Sequence, residues 1–176
     1  MPGKISFTIC PARGGKSTFV RSWLKEPDPD GLNRASLCRD DFRLVFYGER
    51  FNGKREVEMH AVFDVAVKAL HSTGYYNLML DETNISIKSI RNAFKLDIEA
   101  TPHFINTPYE VCIARAYATN QPDLAEGGVI KRMFDNLVVL CNYQRLSFTH
   151  IKDYKEITEN LVYGAVNRIR EEVRNA

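Results

Sequence analysis

The 176-residue sequence predicts an α/β fold, a three-layer α/β/α sandwich around a mostly parallel central sheet. Three observations carry this expectation. Strand-like and helix-like stretches alternate along the chain, the first of them form a strand, a tight glycine-rich loop and a helix, and the length and 44% hydrophobic composition suit one self-sufficient core. A single domain over 1–176 is expected.

"KISFTI" alternates Ile5, Phe7 and Ile9 with Ser6 and Thr8, the period-two pattern of a strand. The helix "GKSTFVRSWLK" follows, with Phe19, Val20, Trp23 and Leu24 at helical spacing, and "EPDPDGLN" ends it with two prolines and a glycine. Paired carboxylates in "DPDG", Asp28 to Gly31, lack a preceding apolar strand and read as a solvated loop. "ASLC" is a second short strand, "RDDFRLVFYG" a helix capped by Asp40 or Asp41, and "ERFNGKR" a polar loop. A longer helix spans "EVEMHAVFDVAVKALHSTG", with Val57, Ala61, Val65 and Ala69 on one face and Gly74 at its end.

"YYNLML" is a buried strand, "SIKSIRNAFKLDI" a helix and "PHFIN" a further strand. Helices around "YEVCIARAY" and "VIKRMFDNLVVL" flank the polar connection "ATNQPDLAEGG". Ile157, Leu161, Ala165, Ile169 and Val173 recur at helical spacing, an amphipathic C-terminal helix over about 153–175 that packs on the body, with a homo-oligomer contact as the alternative.

The formal net charge of +2 implies no broad basic surface, so any nucleic-acid contact rests on a local cluster such as Lys54, Arg55, Lys88 and Arg91, which solvated helix faces explain equally well. Four cysteines without a Cys-x-x-Cys pair, and no secretory leader or membrane-length apolar run, point to a cytoplasmic protein without a membrane partner. The four histidines also lack ligand spacing, and all eight residues read as packing or surface positions.

Chemistry concentrates in three segments. "CPARGGKST" lies between the first strand and helix and follows the phosphate-loop pattern Gly-x-x-x-x-Gly-Lys-Ser/Thr, except that Cys10 stands where the first glycine belongs. Backbone N–H groups of such a loop converge on one point at the positive end of a helix, which suits the polyphosphate of ATP. Ala12, Arg13, Gly14, Gly15, Lys16, Ser17 and Thr18 are the nucleotide-binding candidates, with Lys16 on the β- and γ-phosphates and Ser17 on Mg²⁺. Cys10 is small enough to fit at the strand end. "YYNLMLDETN" ends an apolar strand in carboxylates, where phosphoryl-transfer enzymes place a metal ligand; Asp81 or Glu82 can serve, and alternation points the two in different directions. In "CRDDFR", Asp40 is a candidate general base, and Arg43, a cation in the first helical turn where the macrodipole disfavours it, a candidate anion ligand.

Together, "CPARGGKST", "RDDFR" and "DETN" resemble, in order and separation over roughly residues 4 to 140, the phage-type polynucleotide 5′-hydroxyl kinases of the P-loop phosphotransferases. The resemblance implies a P-loop kinase-like sandwich with a lid and transfer of the γ-phosphate of ATP, with Mg²⁺, to 5′-hydroxyl ends of DNA or RNA, a nucleic-acid repair activity. It makes Asp40 the base and Arg43 the grip on the phosphate 3′ of the acceptor nucleoside. It aligns the family's acidic residue with Glu82, on the substrate side with Asn84, and leaves Asp81 to be assigned with Ser17 to the metal. The family's lid arginine falls at Thr119; Arg115 remains as the catalytic lid candidate, and Arg132 can supply charge instead. Relatives often carry a phosphatase domain too, and the chain after Asn142 is too short for one, so a kinase alone is expected. Two other readings fit these residues: a P-loop kinase acting on a nucleoside or other small hydroxyl compound, and a nucleotide-binding module without transfer.

Overall fold

The computed structural model describes residues 3–48, 53–143 and 150–176. Four parallel strands, β1 (Ile5–Ile9), β2 (Asn33–Leu37), β3 (Tyr76–Leu80) and β4 (Thr101–Phe104), form one sheet in the order β2-β3-β1-β4. Phe7 pairs in register with Leu80, Ile9 with Phe104 and Leu37 with Leu80. All four strands lie where alternation and apolar runs place them. The Ser6/Thr8 face of β1 is nonetheless buried, because helices cover both sides of a parallel sheet. The Thr8 hydroxyl meets this burial by donating to the Glu82 carbonyl at 2.5 Å.

The helices among the described residues are α1 (Lys16–Lys25), α2 (Arg39–Tyr47), α3 (Glu56–Ser72), α4 (Ile87–Leu96), α5 (Tyr109–Ala118), the single turn α6 (Asp123–Glu126), α7 (Val129–Tyr143) and α8 (Glu159–Arg174). The turn α6 interrupts the connection expected to be irregular. A short 3-10 turn, Tyr154–Glu156, precedes α8, so the terminal helix starts at Glu159 rather than near 153. Val162, Ala165, Val166 and Ile169 of α8 are buried, and the helix packs on α7, α4 and β4. Of the loop expected over "ERFNGKR", residues 49–52 lie outside the described residues.

Three expectations need correction. The face of α3 in the core is Met59, Phe63 and Val67, whereas Val57 and Val65 are 82% and 67% exposed and Ala61 and Ala69 also face outward. Both sets recur every four residues, and the bulkier one fills the space against the sheet. Second, α2 is capped by Cys38 without a side-chain hydrogen bond; Asp40 and Asp41 sit one and two residues past Arg39 in its first turn, where they favour the positive helix end. Third, Asp28 is not solvated. Its side chain is buried, and it accepts from Asn77 Nδ2 at 2.7 Å, from Arg34 Nε at 3.1 Å and from the Asp30 amide at 2.9 Å, tying the α1–β2 connection to β3. No helix of the described residues is long and apolar enough to cross a membrane.

Candidate active site

The carboxyl ends of β1, β2 and β3 meet at one edge of the sheet, where open α/β sheets gather ligands. Backbone bonds lock them together: the Cys10 amide donates to the Thr83 carbonyl at 2.9 Å, and the Asp81 amide to the Leu37 carbonyl at 2.8 Å. From β1 the chain turns through residues 10–15 into α1. The Cys10 side chain is fully buried and lies against Gly14, where an added Cβ would meet its sulfur at 2.6 Å. The thiol thus takes up room that the side-chain-free Gly14 leaves, which is how the loop closes without its first glycine. Burial, with the nearby Cys112, pushes the Cys10 thiol up to about 12, so it stays neutral. Gly15 is left-handed, φ 98°, a conformation glycine adopts without penalty, and caps α1 with no side-chain acceptor. In the first turn of α1 the Thr18 amide donates to the Gly15 carbonyl at 3.0 Å, which leaves the amides before it to a ligand. Ser17 and Thr18, in that turn, are exposed.

Alternation separates the two carboxylates after β3, as the sequence requires, and the structure shows to which side each goes. Lys16 Nζ ion-pairs with Asp81 and also donates to its carbonyl at 3.1 Å. Glu82 turns to α2 and accepts from Nε and Nη2 along one edge of the Arg39 guanidinium, which also stands over the Phe63 ring at 5.5 Å and turns Nη1 to His60. Asn84, left-handed at φ 40°, is 4% exposed, and its Nδ2 is buried without a hydrogen-bond partner.

Asp40 is exposed at the start of α2 and accepts from Arg43 Nη1. Arg43 is held as well by Glu56 of α3, Nε to Oε1 at 2.9 Å and Nη2 to Oε2 at 2.6 Å. Its partners hold the Glu56 carboxyl below its ordinary range. On the lid side, Arg115 Nη1 donates to the Arg13 carbonyl at 3.2 Å and lies beside Gly15, while Arg13 reaches Gln121. Thr119 only closes the end of α5, its hydroxyl donating to the Arg115 carbonyl at 2.7 Å. Arg132 is exposed on α7, next to Met133, whose sulfur accepts from the Ala12 amide at 3.1 Å.

The structure thus joins Lys16 to Asp81, Asp40 to Arg43, and Arg115 to the loop. Asp81 and Glu82 have different partners. Arg39, Glu56 and His60 are additions: Arg39 stood in the quoted motif without a role, and Glu56 and His60 gave no sequence signal beyond their polarity on α3. A cavity of about 230 Å³ opens beside the Arg39–Glu82 pair, between α3 and α4. The hydroxyl of Ser17 and the carboxylate of Asp81 are hard oxygen donors of the kind Mg²⁺ takes while keeping several waters, and the open amides of α1 suit a polyphosphate. Among the described residues, no group of three or more His, Cys, Asp or Glu side chains could hold a metal ion by itself.

No protein-family model matches the chain, and no curated protein matches its sequence. Among solved structures, one chain of a Pnkp1/Rnl/Hen1 complex aligns at 25% identity with a TM-score of 0.57, over 65% of this chain and 39% of that one. A chain of the Pnkp1/Rnl/Hen1 RNA repair complex aligns at 22% identity and a TM-score of 0.57, over 97% of this chain and 46% of that one. APE1195 aligns at 12% identity and a TM-score of 0.53, over 99% of this chain and 97% of its own. The protein spans less than half the length of the two complex chains. The fold is that of the P-loop kinases. The chain shares this fold with the aligned chains of the two Pnkp1/Rnl/Hen1 complexes.

Proposed function

We propose that the protein is a polynucleotide 5′-hydroxyl kinase that transfers the γ-phosphoryl of ATP to the 5′-hydroxyl end of DNA or RNA, in the repair of broken strands. The observation that carries this reading is the convergence, at consecutive parallel strand ends, of Lys16 after β1, Asp40 and Arg43 after β2, and Asp81 after β3. The loop amides and Lys16 hold and neutralise the donor, Asp40 accepts the proton of the attacking hydroxyl, Arg43 grips the phosphate on its 3′ side, and Arg115 lies over the loop as the lid cation. A bond forms between the 5′ oxygen and the γ-phosphorus as the bond from phosphorus to the β–γ bridging oxygen breaks, and ADP leaves. Ser17 and Asp81 would hold Mg²⁺, which would supply charge neutralisation on the phosphates.

Labelled ATP offered with 5′-hydroxyl DNA, 5′-hydroxyl RNA, nucleoside 3′-phosphates and nucleosides tests this. Label on acceptors carrying a 3′ phosphate, cut at least about tenfold by Asp40→Asn with ATP binding retained, is the expected result. Label on no oligonucleotide overturns it. The engagement of Arg43 by Glu56 and Asp40 favours a second reading, a kinase for small hydroxyl compounds, and equal turnover of free nucleosides would select it.

A further inference from the structure

Lys16, Arg39 and Arg43 each have a carboxylate partner, whereas a strand brings further phosphates past its first nucleotide. Two neighbouring cavities share the first turn of α4. One, of about 230 Å³, is lined by Asn84, Lys88 and Asn92; the other, of about 390 Å³, reaches Arg132 on α7; both include Ser86 and Ser89. Both cavities border the N-terminal end of this ten-residue helix, and the first of them is the groove beside Lys88. Ser86 and Ser89 form a capping box that serves their own two amides, which leaves those of Ile87 and Lys88 open among the described residues. Lys88 is exposed and has no ion-pair partner among the described residues. At the same groove Asn84, nearly fully buried, carries a donor with no acceptor among the described residues.

We infer that this groove binds the acceptor strand beyond its reacting nucleoside, with a backbone phosphate seated on the first turn of α4 against Lys88. The inference rests on the polynucleotide reading of the same site. A helix start offers a phosphate two open amides and a positive dipole end, and Lys88 adds a formal charge at the same point. The side chain is otherwise misplaced, since a cation in a first turn opposes the dipole.

The test is fluorescence anisotropy of a dye-labelled 5′-hydroxyl oligonucleotide against the full chain over a range of salt, with calorimetry of Mg·ATP beside it. Lys88→Gln is expected to weaken strand binding about threefold to tenfold at low salt and to make the salt dependence shallower by about 0.7 in log–log slope, the share of one phosphate on a single strand. Lys88→Glu is expected to weaken it further even though an acid there stabilises the helix, so a loss cannot come from unfolding. Mg·ATP affinity is expected to stay unchanged in both. Unchanged strand affinity and slope in both variants, an equal loss of Mg·ATP, or no strand binding by the wild-type protein would overturn the inference. Because binding is read without turnover, Lys88-dependent binding by a protein that transfers no phosphate would remove the catalytic proposal alone.

Discussion

Lys16 of the loop rests on Asp81 at the end of β3, an ion pair between side chains only 20% and 14% exposed. The cation proposed for the donor phosphates is thus held by the carboxylate proposed for the metal. Lys16→Met is expected to lower kcat/KM at least about a hundredfold, the scale of losing one positioned charge donor. Asp81→Asn, which frees Lys16, is expected to leave binding of metal-free ATP no weaker while abolishing the gain from Mg²⁺. Calorimetry of ATP with and without the metal reads both.

Arg39 and Glu82 form another partly buried pair, at 20% and 9% exposure. Removing one partner strands the other, so Arg39→Met is expected to destabilise the fold by about 2–4 kcal/mol in urea titrations. The double variant Arg39→Met with Glu82→Leu is expected to lose less than the single one. A double variant weaker than the single would mean that the pair is not the source of the loss.

Gly14 faces the Cys10 sulfur across the loop. Gly14→Ala is expected to cost about 1–3 kcal/mol through overpacking and to weaken ATP binding. Adding Cys10→Gly is expected to restore part of both, though not all, because the Pro11 carbonyl also stands 3.0 Å from the new methyl. Melting temperatures and ATP titrations of the three variants decide it.

Two buried thiols set an alkaline limit. Burial pushes Cys10 up to about 12 and Cys112 up to about 11, from an ordinary 9.0. Between pH 9 and 11 the unfolded chain gives up thiol protons that the native one keeps, so stability is expected to fall as pH rises. Each thiol contributes up to about 1.4 kcal/mol per pH unit. Cys112→Ala is expected to flatten this slope in urea midpoints over that range; an unaltered slope would assign the loss to other groups.

The strands were legible because a parallel sheet writes short apolar runs into the sequence, and the loop because its glycines and lysine keep fixed spacing. Less was legible where neighbours decide. Helix α3 carries two apolar stripes of the same four-residue period, offset by two residues, and packing against the sheet selects Phe63 over Val65. Likewise, the sequence separates Asp81 from Glu82 by alternation yet cannot say which meets Lys16, since Arg39, 43 residues before Glu82, joins it only through the sheet order. Cys38 became the cap of α2 because β2 runs almost directly into the helix. Asp28 read as solvated because its partners Arg34 and Asn77 come from elsewhere in the chain.

The cleft carries its own counterions: Lys16 on Asp81, Arg39 on Glu82, and Arg43 on Asp40 and Glu56. Such a mouth casts little field into the solvent, so these groups do not draw polyanions from a distance. Discrimination comes after contact, when an incoming ligand must displace a resident carboxylate, and a molecule with too few negative oxygens for that exchange gains no hold.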